Sequence, residues 1–168
     1  MVIWFTGMSG SGKSTLSKKL IQFLENNNKT LLYLDGDEIR SKVEYKNDFS
    51  VQSIKQNSLE IIKECNIFLD LYDYIIVSVI APFEDTRAHA RKIFGDNYIE
   101  IFVNATLKEL VRRDTKGLYK NALNGVLKNL IGVDSNTPYQ LPTKPDLVID
   151  TDNENEDQSF EKIKNLIR

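Results

Sequence analysis

The sequence predicts a single α/β domain in which a mostly parallel sheet of five strands is covered by helices on both faces. Short apolar runs alternate with helical patterns along the whole chain, the order that gives parallel strands joined by crossover helices. The run at 74–80 is continuously apolar, which is typical of a parallel strand buried on both faces. The 168 residues, of which 41% are hydrophobic, fit one domain with a sizeable core.

Local signals support each element in turn. The first helix has Leu16, Leu20 and Leu24 on one face. Ser50 is a suitable N-cap for a long amphipathic helix, and Pro82 closes the third strand. We expect strands at 2–6, 30–34, 74–80, 98–103 and 147–150, and helices at 13–25, shortly after 37, from 51 to about 68, and at 84–94, 106–113 and 159–167.

The segment at 114–142 has a different character from the rest of the chain. It is polar and contains glycines and prolines, with little core pattern. A long irregular stretch inside a compact chain is more often a functional lid than a linker. We therefore predict one domain over 1–168 with a lid at about 114–142.

Composition narrows the classes of partner. The formal net charge of -2 gives no support for a nucleic-acid or membrane-surface role. No apolar run is long enough to span a bilayer, and the N-terminus lacks a signal-peptide pattern. Cys65 is the single cysteine, so no internal disulfide can form. Cys65 falls on an apolar helix face, and we expect it to be a packing residue, as we do Trp4. We expect a cytoplasmic protein.

The stretch from Gly7 to Ser14 reads GMSGSGKS and follows the first strand. It matches the phosphate-binding pattern G-x-x-x-x-G-K-[ST]. Glycines in such a loop allow successive N–H groups to turn inward, where they and the helix N-terminus form an anion site. Lys13 would then reach the β and γ phosphates, and the Ser14 hydroxyl would bind Mg²⁺. The alternative is a glycine- and serine-rich turn that happens to contain a lysine.

The pattern therefore predicts a P-loop NTPase or kinase fold that binds a nucleoside triphosphate such as ATP with Mg²⁺. The predicted ATP-binding residues are Gly7, Ser9, Gly10, Ser11, Gly12, Lys13, Ser14 and Thr15.

The second strand leads to acidic residues at the same edge of the sheet. Asp35 and Asp37 follow it, and Arg40 comes about one helical turn later. A carboxylate near the γ phosphate can accept a proton from an attacking hydroxyl or hold Mg²⁺, and an arginine matches an acceptor phosphate. Taken alone, Asp37 would be a helix cap and Asp35 a turn residue. Beside a phosphate loop, the functional interpretation is favoured.

A charged cluster follows the fourth strand and its helix. It contains Arg112, Arg113, Asp114 and Lys116. Such a run is usually a solvated surface. At the start of a lid, it can instead place cations over the transferring phosphoryl group and exclude water.

Several motifs, in order over nearly the whole chain, resemble those of adenylylsulfate kinases. They are VIWFTGMSGSGKS at 2–14, LDGDEIR at 34–40, FS at 49–50 and RDTKGLYKNAL at 113–123, with later G-V-D and PY elements. The pattern RD-x-KGLY is far more specific than the phosphate loop. The resemblance implies phosphoryl transfer from ATP to the ribose 3'-hydroxyl of adenylylsulfate, and it leaves open a homodimer, which is common in the family.

The resemblance also implies roles for individual residues. Asp35 would be the base, the magnesium-shell carboxylate or both, Lys13 and Lys116 would act on the phosphoryl group, and Arg113 would pack on the ATP base. The implied acceptor site consists of Asp37, Arg40, Phe49, Asn57, Ile80, Ala81, Lys116 and Leu130. The roles of Arg87 and Arg91, which match two arginines of the family, stay open.

The chain departs from the family in the implied acceptor pocket. Ile54 stands where the family has an arginine that grips the acceptor's anionic group, and Leu130 replaces a phenylalanine that stacks on adenine. Two extra residues lie between Asp134 and Pro138. Losing a charge-assisted contact should cost adenylylsulfate about 2 kcal/mol or more.

These departures favour a different acceptor. Among relatives of the family, the chain most resembles cytidine diphosphoramidate kinases of bacterial capsule biosynthesis, since a pyrimidine needs less stacking and a less acidic terminal group needs one arginine fewer. A genuine adenylylsulfate kinase is the alternative. A third hypothesis is a regulatory module that binds ATP without transferring phosphate.

Overall fold

In the computed structural model, a parallel five-stranded sheet forms the centre of the chain, with strand order β2-β3-β1-β4-β5. The structure describes residues 1–36, 38–39, 50–114 and 116–167. The strands are β1 (Val2–Thr6), β2 (Leu31–Asp35), β3 (Tyr74–Ser78), β4 (Tyr98–Asn104) and β5 (Leu147–Asp150). Every pairing is parallel, so the predicted fold class is confirmed. The predictions for Asp37, Arg40 and Phe49 lie outside the described residues.

The helices in the described ranges connect the strands. They are α1 (Lys13–Asn26), α2 (Val51–Phe68), α3 (Glu84–Phe94), α4 (Leu107–Arg113), α5 (Leu118–Leu123) and α6 (Glu156–Ile167), with a 3₁₀ turn at Gly95–Asn97. In these ranges, no helix combines the length and apolarity needed to cross a bilayer.

Capping explains why two of these helices begin where they do. The Ser50 hydroxyl accepts a hydrogen bond from the amide of Ser53, and Thr106 accepts one from the amide of Glu109. Each side chain satisfies a helix N–H group that has no partner within the helix. The predicted cap at Ser50 is therefore confirmed.

Some predictions of local structure were wrong. The last helix begins at Glu156, three residues earlier than expected. The third strand ends at Ser78 and not at residue 80, although Val79 N still donates to Phe5 O. The segment at 114–142 is not wholly irregular, because it contains α5. The Asp114 carboxylate accepts hydrogen bonds from the amides of Tyr119 and Lys120 and so caps this short helix.

The core lies in two layers, one on each face of the sheet. In β1, Val2 and Trp4 face the layer that contains α2 and α3, while Ile3 and Phe5 face the layer under α1 and α6. The strand is buried on both faces, as expected for the centre of a parallel sheet. Trp4 is 1% exposed, which confirms its predicted core role.

Cys65 is fully buried on the inner face of α2. Burial raises the pKa of its thiol to about 12, so the thiol stays protonated at neutral pH. Because the thiolate is the reactive form, the side chain is a packing group and not a nucleophile.

We predict that Cys65 in the native protein does not react with a thiol reagent such as dithionitrobenzoate at pH 8. In denaturant, the same protein should release one equivalent of thionitrobenzoate per chain, because burial is then lost. Rapid reaction of the native protein would contradict the packing role.

Candidate active site

The glycine loop between β1 and α1 turns in a space that excludes a side chain at its first position. Gly7 has φ of +153°, and a Cβ atom there would lie 2.3 Å from the carbonyl oxygen of Val103 on β4. Gly10 and Gly12 also have positive φ values. The loop therefore lies directly against the carboxyl end of the sheet, and its amides lead into the N-terminus of α1.

The predicted ATP-binding residues are all found in this loop and the first turn of α1. Lys13 is 8% exposed, and its Nζ donates to the carbonyl oxygen of Met8 at 2.9 Å. The amide of Ser11 donates to the same oxygen at 3.2 Å. Gly7 and Ser11 are buried, Ser9 and Gly12 are half-buried, and Gly10, Ser14 and Thr15 are exposed.

The end of β3 lies beside the start of the loop. The Ile80 carbonyl oxygen accepts hydrogen bonds from the Thr6 hydroxyl at 2.6 Å and from the Gly7 amide at 3.4 Å. Ala81 follows with φ of +41°, a left-handed conformation that is uncommon for a residue with a side chain. The segment at 80–82, which contains the predicted acceptor residues Ile80 and Ala81 and is called the acceptor wall, is thus hydrogen-bonded to the phosphate loop.

Asp35 lies at the same edge of the sheet, on the face that carries α1. Its register partner on β3 is Ser78, which in turn pairs with Phe5 on β1. Two strand spacings put the Asp35 backbone on the order of 10 Å from that of Phe5. The carboxylate is half-buried and accepts a hydrogen bond from the Tyr33 hydroxyl at 2.8 Å.

A chain of hydroxyl groups connects Asp35 with the first turn of α1. The Ser17 hydroxyl lies 3.3 Å from both the Tyr33 hydroxyl and the carbonyl oxygen of Ser14. Burial, ahead of the neighbouring Asp35 charge, raises the pKa of Tyr33. Tyr33 therefore stays protonated as a donor and orients the Asp35 carboxylate.

Arg113 contacts the loop indirectly, through the chain after β5. Its Nη1 donates to the Thr151 hydroxyl at 3.0 Å and its Nη2 to the Thr151 carbonyl oxygen at 2.6 Å. The Thr151 hydroxyl itself lies 3.2 Å from the carbonyl oxygen of Ser11, to which it can donate. The sequence carried no signal for Thr151, which lies 140 positions from its loop partner.

Tyr119, the last residue of the motif RD-x-KGLY, connects this motif with the glycine loop. Its ring is 2% exposed, and its hydroxyl donates to the carbonyl oxygen of Ser9 in the glycine loop at 2.6 Å. Burial, with a smaller effect of the Asp114 charge, raises its pKa to about 12, so the phenol stays a donor at neutral pH. Sequence reasoning missed Tyr119, although the motif contains it. Lys116 lies three residues earlier and is exposed.

Leu130, itself part of the predicted lid, packs in an apolar cluster beside the glycine loop. It is half-buried against a small cluster formed by Ala105, Leu110 and Tyr119, which Met8 of the glycine loop also contacts. Nearby, Gly132 has φ of +80°, and a Cβ atom there would lie 2.4 Å from the Met8 methyl group. The predicted lid is therefore packed onto the glycine loop by apolar contacts as well as by the Tyr119 hydroxyl.

A cavity of about 340 Å³ adjoins this contact. It lies between the end of β4 and the predicted lid, and Met8 and Gly132 contribute to its wall. Its other lining residues are Phe102, Val103, Asn104, Ala105, Val133, Asp134, Ser135, Pro138, Tyr139 and Leu141.

The remaining described acceptor residue, Asn57, is half-buried near the N-terminal end of α2. Ile54 precedes it by three positions and is also half-buried. In a parallel βαβ unit, this end of the helix lies at the carboxyl edge of the sheet. Ile54 and Asn57 therefore lie at the same edge of the sheet as the glycine loop.

The donor set fits a magnesium ion held mainly by phosphates. Ser14 offers an exposed hydroxyl and Asp35 a half-buried carboxylate, both hard oxygen ligands. Within the described ranges, no group of three acidic, histidine or cysteine side chains could hold a metal by itself. A cation that takes its remaining ligands from substrate phosphates and water suits such a sparse site.

Comparison with known proteins assigns the chain to a family. Residues 1–150 match the family model described as adenylylsulphate kinase. The chain belongs to this family. It is therefore an ATP-dependent phosphotransferase with the P-loop kinase fold.

Individual relatives agree with this assignment. The adenylyl-sulfate kinase of Clostridium kluyveri is 36% identical over 167 residues, which are 99% of this chain and 83% of that protein. The adenylyl-sulfate kinase of Gloeothece citriformis is 38% identical over 163 residues, covering 97% and 91%. The solved APS kinase of Mycobacterium tuberculosis, in complex with AMPPNP and APS, superposes with a TM-score of 0.89 at 31% identity, covering 99% of this chain and 96% of that one.

Within this kinase, the bond from Tyr119 to Ser9 is a direct polar contact between the predicted lid and the glycine loop. We predict that Tyr119→Phe lowers the free energy of unfolding by about 1 kcal/mol and raises KM for ATP several-fold, because Ser9 O loses its donor. Denaturant unfolding and ATP titration measure the two effects.

Tyr98→Phe is the matched control. Tyr98 is equally buried, but its hydroxyl has no hydrogen-bond partner among the described residues. Its removal should leave stability and KM for ATP unchanged. If Tyr119→Phe were as harmless as Tyr98→Phe, the hydroxyl contact would have no role in holding the loop.

Proposed function

We propose that this kinase transfers the γ-phosphoryl group of ATP to the ribose 3'-hydroxyl of adenylylsulfate. The observation that carries the proposal is the contact of the RD-x-KGLY segment with the glycine loop through Tyr119. This segment is the most specific sequence feature shared with the family, and it is packed against the donor site. The matching relatives are named as adenylyl-sulfate kinases, which supports adenylylsulfate as the acceptor.

The glycine loop would bind the ATP phosphates with its amides and the N-terminus of α1. Lys13, held at the loop through Met8 O, would neutralise charge on the β and γ phosphates. Ser14 and Asp35 would hold Mg²⁺, which supplies further charge neutralisation when bound.

The transfer requires an oxygen nucleophile and a place for its proton. The 3'-oxygen of the acceptor attacks the γ-phosphorus in line, the bond to the β–γ bridging oxygen breaks, and ADP leaves with the electron pair. Asp35 is the proposed acceptor for the hydroxyl proton, with Tyr33 orienting its carboxylate. Lys116, in the predicted lid, would contribute positive charge near the transferring group.

Asp35→Asn tests the proposed base directly. We predict that it lowers kcat by about 100-fold or more while the Kd for ATP changes less than threefold, because asparagine keeps a side-chain oxygen for Mg²⁺ but cannot accept the proton, and the phosphates are bound mainly by the glycine loop. Isothermal titration with a non-hydrolysable ATP analogue and a coupled ADP assay measure the two quantities. Asp70→Asn, at an exposed site, is the control. Normal turnover by Asp35→Asn would remove Asp35 from this role.

A second acceptor is favoured by Ile54 and Leu130. Ile54 is a neutral side chain on α2 near Asn57. Leu130 packs in the small apolar cluster beside the glycine loop. An acceptor with a smaller base and a less acidic terminal group, such as cytidine diphosphoramidate, would lose less from these changes than adenylylsulfate would. In that case the kinase would serve capsule biosynthesis.

The two acceptors are compared by kcat/KM for ATP-dependent turnover. If adenylylsulfate is the acceptor, the wild-type chain uses it efficiently and the cytidine compound poorly. If the cytidine compound is the acceptor, the order reverses, and Ile54→Arg should raise kcat/KM for adenylylsulfate about tenfold by restoring a charge-assisted contact.

Ile67→Arg makes the same change at an exposed position of the same helix and should alter neither value. If no ADP formed with either acceptor, both candidates would be contradicted and the regulatory module would be favoured.

A further inference from the structure

Arg87 on α3 is an arginine side chain buried to 1% exposure. Its guanidinium group contacts four residues. Nη1 donates to the carbonyl oxygen of Ala81 at 2.5 Å, and Nη2 donates to the carbonyl oxygen of Gln140 at 2.7 Å. Nη2 also pairs with Glu84, and Nε lies 3.2 Å from Glu100 on β4.

The first contact involves the strained residue of the proposed acceptor wall. Ala81 has φ of +41° and is 4% exposed. A non-glycine residue keeps such a conformation only where its surroundings enforce it. The Arg87 bond points the Ala81 carbonyl into the protein, and the preceding carbonyl, that of Ile80, accepts from Thr6 and from Gly7.

The second contact holds the C-terminal end of the predicted lid. Gln140 N donates to the Pro82 carbonyl oxygen at 2.8 Å, directly beside the Arg87 bond to Gln140 O. The guanidinium carbon lies 5.8 Å from the centre of the Tyr139 ring. The Tyr139 hydroxyl lies 2.9 Å from that of Thr6, one residue before the glycine loop.

The buried Arg87 therefore links the segment after β3 with the C-terminal end of the predicted lid. Through Tyr139 it is also linked to the start of the glycine loop. Arginine suits this place because its planar fork can bond several acceptors in fixed directions, whereas lysine offers a point charge. Glu84 and Glu100 compensate its charge in the interior.

We propose that Arg87 is a positioning residue for the acceptor, which it serves by holding Ala81 in its left-handed conformation. The bond to Ala81 O sets the direction of the wall at 80–82. The bond to Gln140 O holds the segment around Gln140, which is itself hydrogen-bonded to the wall at Pro82 O. Arg87 touches neither ATP nor the reacting atoms. The link to the acceptor rests on the proposed function.

Arg91 separates this role from simple ion pairing. It lies one helical turn after Arg87 and also approaches Glu100, at 3.5 Å. Its hydrogen bonds go instead to Asp146 and to the Lys144 carbonyl oxygen, just before β5 begins. This is the amino edge of the sheet, away from the glycine loop. Arg91→Lys is therefore a matched control for Arg87→Lys, since both keep the positive charge near Glu100.

The test compares KM for the acceptor, KM for ATP, kcat and melting temperature in the two variants and the wild type. Arg87→Lys should raise KM for the acceptor about tenfold with KM for ATP within about twofold of the wild type, and Arg91→Lys should leave both within about twofold. An unchanged acceptor KM in Arg87→Lys would overturn the proposal. So would an equal rise of the acceptor and ATP KM values, or the same rise in Arg91→Lys.

Hydrogen exchange provides a readout that needs no acceptor. The Gln140 amide, bonded to Pro82 O, should exchange about tenfold faster in Arg87→Lys than in the wild type or in Arg91→Lys. An unchanged rate would overturn the proposal even if the acceptor KM moved. If the wild type used neither acceptor, the proposed function would fail, and the exchange rates would still decide whether Arg87 holds the wall.

Discussion

The glycine loop can bind an anion only if its carbonyl groups are bonded away from the site, so that its amides remain directed inward. Partners from three parts of the chain meet this constraint. Lys13 donates to Met8 O and Tyr119 to Ser9 O, while the Thr151 hydroxyl lies 3.2 Å from Ser11 O. These partners come from α1, from the predicted lid and from the chain after β5. The loop is thus shaped by the whole carboxyl edge of the sheet and not by its glycines alone.

Much of the fold could be predicted because its signals are local. The continuous apolar runs and the Ser50 cap gave the correct order of strands and helices, and the bounds of β1, α3 and β5 agree with the prediction. Helix α5 was missed because its stabilisation is not local. Its six residues carry little periodicity, and it depends on capping by Asp114 and on burial of Tyr119 against Leu110.

The same distinction separates the site residues that were predicted from those that were missed. Motif spacing identified the glycine loop, and the order of the strands brought Asp35 to the same edge. Tyr119, Thr151 and Tyr139 were missed, and the role of Arg87 was left open, because these residues act through contacts between distant positions. The separations are 110 residues for Tyr119 and Ser9 and 133 for Tyr139 and Thr6. Such pairs have no spacing rule, so only the folded chain reveals them. The donor half of the site is therefore better defined by sequence than the acceptor half.

The proposed reaction is direct phosphoryl transfer to a ribose 3'-hydroxyl. Phosphorus NMR of the chain with ATP, Mg²⁺ and adenylylsulfate tests it most directly, because a new phosphomonoester signal reports its own position through coupling to the ribose H3' proton. We expect that signal to form at the same rate as ADP. The same experiment with cytidine diphosphoramidate tests the second acceptor. ADP accompanied only by inorganic phosphate, with both acceptors left unchanged, would contradict the proposed reaction.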